Sequence, residues 1–171
     1  MVEPLLPFID YFCPSIEEAT ALYHHSSDNN QPHDSSSDEN NNTTKAQRLQ
    51  QVATIASHFK KKGVKNAILT MDKHGVYVDP EVGEPFVVPA HEIQVVDTTG
   101  CGDSFTAGVI VGLIQQQKTD ETWDLRRIVT FANAVAAQVA LGLGSDGDGN
   151  LTSLHATLQF MKTTPYRQDD D

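Results

Sequence analysis

A short turn, Gly100-Cys101-Gly102-Asp103, constrains the fold most, because it joins a predicted strand to the most apolar helix that the sequence predicts. That helix, Gly102–Gln117, is apolar nearly all round, which predicts burial of most of its surface. Two glycines on either side of a small residue allow the backbone to turn tightly and point its N–H groups outward. These groups add to the positive end of the helix dipole, so the turn predicts an anion-binding site.

An acidic residue in such a turn needs its own explanation, because its charge opposes the binding of an anion. Asp103 makes chemical sense if it acts as a base that takes a proton from an attacking hydroxyl. The alternative is that Asp97 or Asp103 only caps the helix, as aspartate often does. The turn taken alone favours the cap.

Strands and helices are interspersed along the rest of the chain, which indicates an α/β layer fold. Short apolar runs between turn residues predict strands, and apolar residues spaced three and four apart predict helices. The predicted strands are Pro7–Phe12, Asn66–Met71, Gly75–Asp79, Phe86–Val88 and Glu92–Val96. The predicted helices, besides the one after the turn, are Ser15–Tyr23, Ala46–Lys62, Leu125–Leu141 and Leu151–Met161.

A polar tract, residues 24–44, interrupts this pattern and contains no Ala, Val, Ile, Leu, Met, Phe, Trp, Tyr or Cys. Such a segment cannot bury enough apolar surface to offset the entropy that it loses on ordering. We therefore predict one domain over residues 1–171, with residues 24–44 as a disordered insertion.

The formal net charge is −11, from 23 acidic and 12 basic residues. This charge repels nucleic acid backbones and anionic lipid surfaces, so we expect neither nucleic acid nor a membrane as a partner. No apolar run approaches the length that crosses a bilayer, and the first ten residues lack the features of a signal peptide. Because Cys13 and Cys101 do not suggest a disulfide framework, we expect a cytoplasmic protein.

The stretch from Asp97 to Gly108 has the pattern Asp-Thr-x-Gly-x-Gly-Asp-x-Phe-x-Ala-Gly. It resembles the C-terminal signature of the ribokinase-like, or pfkB, family of carbohydrate kinases, and the resemblance extends from about Asp10 to Met161. The resemblance implies the C-terminal portion of a ribokinase-like three-layer αβα fold. The strands, the small lid and the Gly-Gly segment that precede this region in the family are missing, so we expect a fold truncated at its N-terminal side.

The resemblance also implies a reaction, in which the γ-phosphoryl group of ATP passes directly to a hydroxyl of a sugar or nucleoside. Asp103 would be the base, and the N–H groups of Gly100, Cys101 and Gly102 would form the anion hole.

Two further motifs extend the resemblance towards the metal and the nucleotide. Pro14-Ser15-Ile16-Glu17-Glu18 is similar to a Pro-Asn-x-x-Glu motif that places Mg²⁺ and phosphates, with Ser15 in place of Asn, and it implies a metal role for Glu18. The segment Leu69–Val76 is similar to a Thr-x-Gly-x-x-Gly nucleotide loop, with Asp72 where Gly is usual. It implies that Thr70 and Gly75 contribute to nucleotide binding.

The segment Phe131-Ala132-Asn133-Ala134 resembles the family's helix beside the adenine, which implies a role for Asn133. The alternative is an ordinary amide on the helix surface. Family members also bind a monovalent cation such as K⁺ beside the anion hole. The positions that match are Asp97, Thr99 and the backbone carbonyls near Val139, Gly142 and Gly144.

Three interpretations stay open, because catalytic parts without a substrate pocket predict weak turnover. The chain is part of a functional kinase, a nucleotide-binding pseudokinase, or a non-enzymatic interaction domain. A sheet cut at this point would expose an edge strand, so we expect association, for example as a homodimer. The identity of the acceptor cannot be read from these residues.

Overall fold

The computed structural model describes residues 2–26, 44–118, 123–145, 149 and 153–168. The strands are β1 (Tyr11–Phe12), β2 (Asn66–Thr70), β3 (Val76–Asp79) and β4 (Phe86–Val88). The α-helices are α1 (Ile16–His25), α2 (Lys45–Lys61), α3 (Cys101–Lys118), α4 (Leu125–Val139) and α5 (Leu154–Thr163). Two short 3₁₀ helices occupy Glu3–Phe8 and Asp72–His74.

The four strands form one sheet in chain order, β1-β2-β3-β4. Strands β1 and β2 run parallel, with Tyr11 opposite Asn66 and Phe12 opposite Ala67. A parallel pair needs a crossover connection, and here α1 and α2 lie between the two strands in the sequence. This order agrees with the predicted α/β class.

The chain divides into two compact units, and the first consists of residues 2–26, 44–71 and 77–86 of the described chain. Its core is strand β2, in which Ala67, Ile68 and Leu69 are fully buried. Helix α2 buries one apolar face, formed by residues spaced three and four apart: Val52, Ile55, Ala56 and Phe59. The ring of Phe59 lies 4.7 Å from that of Phe12, which joins this helix to β1.

Of the described chain, the second unit consists of residues 72–76, 87–118, 123–145, 149 and 153–168, and its core is the contact between α3 and α4. A Cβ atom at Gly108 would lie 2.7 Å from the Cα atom of Ala132. One at Gly112 would lie 2.8 Å from the side chain of Ile128. The two helices therefore approach more closely than side chains on α3 would allow.

Three sequence-based predictions were wrong in detail. Helix α3 buries one face only, because Ile110, Val111 and Ile114 are 53%, 37% and 41% exposed. Residues 92–96 form no strand, since their neighbourhood contains only an isolated bridge between His91 and Tyr166. Of the strand predicted over residues 7–12, only the last two residues pair, because a 3₁₀ helix with prolines in it occupies the chain before them.

The ends of the predicted polar insertion are helical or capped in the described chain. Helix α1 continues through His24 and His25, and Ser26 is buried. Thr44 is the N-cap of α2. The rest of the insertion, residues 27–43, lies outside the described residues. Of the helices described, none has the length and hydropathy to cross a bilayer.

Candidate functional site

The first glycine of the turn before α3 has a structural reason to be glycine. Gly100 has φ of +80°, in the left-handed region that favours glycine. A Cβ atom here would also lie 2.6 Å from the Cα atom of Ser145. Any side chain at position 100 would therefore strain the backbone and collide with the loop that follows α4.

The second glycine has no such reason. The φ of Gly102 lies outside the left-handed region, and a Cβ atom there would meet no atom of the described chain within 4 Å. Glycine in a helix costs about 0.5–1 kcal/mol relative to alanine, so it needs a compensating use. The close approach of a ligand to the backbone would be such a use, and this stays a prediction.

The amide groups of this turn differ in how they are occupied. The N–H of Cys101 donates to the carbonyl of Thr98 over 3.2 Å. Within the described part of the chain, the N–H groups of Gly100 and Gly102 donate to no protein acceptor. Two of the three amides predicted to bind an anion are thus available at the N-terminus of α3.

Asp103 lies in the first turn of α3 and is exposed. Its carboxylate has no hydrogen bond or ion pair with any residue of the ranges that the structure describes. It therefore does not cap the helix, and its side chain is not turned into the core. An exposed carboxylate without a partner keeps its lone pairs for a ligand.

Asp97 is bonded to the protein on both carboxylate oxygens. Oδ1 accepts from the N–H of Thr99 at 2.9 Å and from its hydroxyl at 2.8 Å. Oδ2 accepts from the N–H of Gly144 at 2.9 Å. The amides of Thr99 and Gly144, followed by the Thr99 hydroxyl, hold the pKa of Asp97 below its usual value. Asp97 thus ties the turn before α3 to the loop after α4.

A cation at Asp97 would share the carboxylate with these bonds. An ionised carboxylate has about four acceptor positions, and the amides of Thr98, Thr99 and Gly144 and the Thr99 hydroxyl all interact with it. The carbonyl of Val139 accepts from the N–H of Gly142 at 3.2 Å and retains its second lone pair. Carboxylate and carbonyl oxygens are suitable ligands for the monovalent cation that the resemblance implies, and its binding here stays a prediction.

Gly75 lies at the end of the predicted nucleotide loop and packs against backbone. It has φ of +85°, and a Cβ atom would lie 2.1 Å from the carbonyl oxygen of Val88. Asp72, three residues earlier, is the one non-glycine residue with positive φ in the described chain, at 49°. The usual glycine of this loop is thus replaced by an aspartate that keeps a left-handed backbone, which Asp adopts more readily than most residues.

Asn133 is buried and not a surface amide, since its exposed fraction is 9%. Its Nδ2 donates to the carbonyl of Pro89 over 2.8 Å. The segment around Pro89 also contains His91, which is 4% exposed and lies 3.2 Å, Nδ1 to oxygen, from the carbonyl of Thr164. Sequence reasoning missed this segment, because no local pattern pairs it with α4 or with the residues after α5.

In the first unit, Thr70 ends strand β2 and its N–H donates to the carbonyl of Pro14 over 3.1 Å. This bond continues the parallel pairing beyond β1 and places Ser15 beside Thr70. The nucleotide and metal motifs of this unit therefore meet at one end of β1 and β2.

Ser15 and Glu18 form a capping box at the start of α1. The N–H of Ser15 donates to Glu18 Oε2 at 2.9 Å, and the N–H of Glu18 donates to Ser15 Oγ at 3.2 Å. The Ser-x-x-Glu spacing is itself a signal for this arrangement, so the sequence contained a second explanation of the motif.

A magnesium role for Glu18 is compatible with this geometry. Glu18 is exposed, and its second carboxylate oxygen has no partner among the residues described. Mg²⁺ usually keeps several waters and binds through one or two carboxylates together with substrate phosphates. The described chain contains no group of three His, Cys, Asp or Glu residues arranged to hold a metal without such help.

Comparison with known proteins gives a consistent result. The pfkB family carbohydrate kinase domain matches residues 1–150. The ribokinase of Haemophilus influenzae is 26% identical over 113 residues, which are 66% of this chain and 34% of that protein.

Among solved structures, ribokinase from Thermotoga maritima matches with a TM-score of 0.70 and 23% identity, over 94% of this chain and 45% of its own. Arabidopsis thaliana ribokinase, solved with ribose and ATP, matches with a TM-score of 0.62 and 25% identity, over 94% of this chain and 43% of its own. These matches confirm the predicted ribokinase-like α/β fold. The chain spans about a third of the curated relative's length and less than half that of the solved structures. With the family domain matched over residues 1–150, the chain belongs to the pfkB family of carbohydrate kinases.

Proposed function

We propose that this chain contributes the phosphate-binding turn and the general base of a kinase. The reaction moves the γ-phosphoryl group of ATP to a hydroxyl of a sugar or nucleoside. One observation carries the proposal: at the N-terminus of α3, a glycine that the fold does not require adjoins a carboxylate without a protein partner. Neither residue has another use in the described chain.

In the proposed reaction, Asp103 accepts the proton of the acceptor hydroxyl as its oxygen attacks the γ-phosphorus. The new P–O bond forms while the bond from the γ-phosphorus to the bridging oxygen breaks, and ADP leaves. The free N–H groups of Gly100 and Gly102 stabilise the negative charge on the moving phosphoryl group. The N–H of Cys101 donates to the Thr98 carbonyl. In this proposal it shares that hydrogen with the phosphoryl group and so acts together with the other two amides.

The remaining predicted residues support binding in this proposal. Thr70 and Gly75 would contribute to nucleotide binding, and Glu18 would bind Mg²⁺ through its second carboxylate oxygen. The metal, when bound with ATP, neutralises charge on the β- and γ-phosphates. Asp97 and Thr99 hold a monovalent cation, K⁺, beside the turn.

The proposed partners follow from charge and family. The acceptor is a small sugar or nucleoside, and the net charge of −11 opposes binding to nucleic acid or anionic lipid. Both cysteines are unpaired, which supports a reducing, cytoplasmic setting. We extend the proposal to a homodimer, for which the exposed edge of β1 offers pairing groups.

A second candidate function follows from the exposed apolar residues of α3. Ile110, Val111 and Ile114 lie on one face of α3 and are 53%, 37% and 41% exposed. An exposed apolar face of this kind favours an interaction domain. A nucleotide-binding pseudokinase is the third alternative, since it would use the same anion-binding turn.

Nucleotide binding and phosphoryl transfer, measured separately, test the proposal. Titration calorimetry of the 171-residue chain with MgATP gives binding, and a coupled ADP assay with a panel of sugars and nucleosides gives transfer. Binding with transfer supports the kinase. Binding without transfer to any acceptor supports the pseudokinase, and no nucleotide binding supports the interaction domain.

A further inference from the structure

The turn at Gly75 rests on one short backbone segment, Val88–His91, which we call the bracing segment. A Cβ atom at Gly75 would lie 2.1 Å from the Val88 carbonyl oxygen, 2.8 Å from the Ala90 nitrogen and 2.9 Å from the Pro89 carbonyl carbon. Backbone therefore meets backbone here with no side chain between. A displacement of the bracing segment would be transmitted directly to the turn.

The bracing segment is held at three places. At its N-terminal end, Val88 is the last residue of β4, which pairs with β3 in the sheet. At its C-terminal end, the N–H of Arg167 donates to the Ala90 carbonyl at 2.7 Å, and the His91 ring contacts the Thr164 carbonyl. In its middle, the Pro89 carbonyl accepts from the Asn133 amide at 2.8 Å. Helix α4 thus reaches the bracing segment through one side chain.

The environment of Asn133 favours this bond over contact with a ligand. The side chain is buried, and its neighbours on α4, Ala132 and Ala134, are fully buried. A buried amide that already donates to a backbone carbonyl loses that bond if it turns towards a nucleobase, and an unsatisfied buried carbonyl costs about 1–3 kcal/mol.

We propose that Asn133 is a positioning residue that holds the bracing segment against Gly75 and thereby sets the shape of the nucleotide turn. This inference rests on the proposed function insofar as Gly75 lies along the nucleotide. It assigns Asn133 an indirect role in binding ATP, in place of the direct contact with adenine that the sequence predicts.

Hydrogen exchange of the free chain tests the positioning role without nucleotide. In Asn133→Ala we expect amides in residues 72–76 and 87–91 to exchange about 2- to 10-fold faster, as the loss of one hydrogen bond predicts. Amides in the centres of α3 and α4 should exchange as in the wild type. The matched control is Thr130→Ala on the same helix, whose lost hydroxyl bond is to the Arg126 carbonyl. It should leave both segments unchanged.

Titration with MgATP then connects the brace to binding. The Kd for MgATP should rise about 2- to 10-fold in Asn133→Ala and stay unchanged in Thr130→Ala.

Asn133→Asp provides a second, nearly isosteric variant in case the alanine variant does not fold. At pH 8 its carboxylate cannot donate to the Pro89 carbonyl, so exchange in both segments should be fast. At pH 5.5 the protonated fraction can donate, so exchange, expressed relative to the wild type at the same pH, should slow.

Several results would overturn the positioning role. One is weaker MgATP binding in Asn133→Ala with unchanged exchange in residues 72–76, which would mean direct contact with the nucleotide. Another is faster exchange throughout α3 and α4, which would mean general loss of packing. If the wild type binds no MgATP but the exchange pattern is as expected, the brace is supported and the proposed function is refuted.

Discussion

The proposed reaction depends on two motifs, and these differ in how many of their polar groups already have partners within the protein. Around Pro14–Glu18, the polar groups of Ser15 and Glu18 bond to each other's backbone and start helix α1. Around Gly100–Asp103, one glycine is open to solvent and one carboxylate has no partner in the described chain. A structural role accounts for the first motif, whereas no contact within the described chain accounts for the second. Residues without a use in the fold are therefore the better guide to function.

The largest expected effect is at the base. Asp103→Asn should lower the rate of phosphoryl transfer about 10²- to 10⁴-fold, because the amide cannot accept the proton. The melting temperature should change little, since the side chain is exposed and unpaired. The coupled ADP assay measures the rate, and thermal unfolding measures the melting temperature.

Asp124→Ala is the control for Asp103→Asn, because it should affect stability and not the rate. Asp124 is exposed like Asp103, but it caps α4 by accepting from the N–H of Arg127 at 2.8 Å. Its loss should cost about 1 kcal/mol of stability and leave the rate unchanged. Unchanged turnover in Asp103→Asn would remove the base from the proposal.

Substitution of the two glycines of the turn should have different effects, one on MgATP binding and the other on the stability of the fold. Gly102→Ala should weaken MgATP binding by about 1.5–3 kcal/mol, the worth of a hydrogen bond to a charged group, because the methyl group occupies the ligand side. The same change should leave the fold intact or stabilise it by about 0.5–1 kcal/mol. Calorimetry and denaturant unfolding measure the two terms.

Gly100→Ala is the matched comparison. It places a Cβ atom 2.6 Å from Ser145 at positive φ, so it should destabilise the chain by about 1–3 kcal/mol. If Gly102→Ala proves equally destabilising, the contrast between the two glycines fails.

The capping box should behave as a local structural feature. Ser15→Ala should cost about 1 kcal/mol of stability, because one N–H at the start of α1 loses its acceptor. Glu18→Gln should keep the stability, since glutamine also serves in a capping box. A higher Mg²⁺ requirement in Glu18→Gln alone would support the proposed metal role of Glu18, and an unchanged requirement would leave only its role in the cap.

The smallest effect should be a dependence of stability on pH at His91. Burial, the largest cause, lowers the pKa of His91 below its usual value of 6.5, although the carbonyls of Thr164 and Pro165, as hydrogen-bond acceptors, act in the opposite direction. The unfolded chain therefore binds this proton more readily. Stability should be complete above pH 6.5 and should decrease as the pH falls below it.

Thermal unfolding between pH 5 and 8 measures this dependence. In His91→Phe the curve should be flatter over this interval, because the titrating group is gone. Parallel curves for the two proteins would assign the acid sensitivity to other groups.

Local patterns predicted the helices well. The predicted range Ala46–Lys62 differs from α2 by one residue at each end, because periodicity and capping act within a few residues. The strand predicted at Glu92–Val96 was wrong, because a strand requires a partner and periodicity does not supply one. The same limit explains why Ile110 is exposed although burial of most of α3 was predicted. Hydrophobic residues on all sides of a helix do not determine which neighbours are present to cover them.

The same difference between local and long-range interactions applies to the candidate site. The turn from Gly100 to Asp103 could be predicted, because its glycines and its acid are adjacent in sequence. The bond from Asn133 to Pro89 spans 44 residues, and the one from Gly144 to Asp97 spans 47. No property of either residue alone identifies its partner, so these anchors emerge only from the fold.

The cysteine within the phosphate-binding turn has a consequence for oxidative stress. The thiol of Cys101 donates to the Ala136 carbonyl, and burial, with the charges of Asp97 and Asp72, raises its pKa. Burial raises the pKa of Cys13 to about 11. Peroxide attacks the thiolate form, and a raised pKa lowers the fraction of thiolate at neutral pH in both cysteines. Although Cys101 is only two residues from the proposed base Asp103, we therefore expect the turn to react slowly with peroxide.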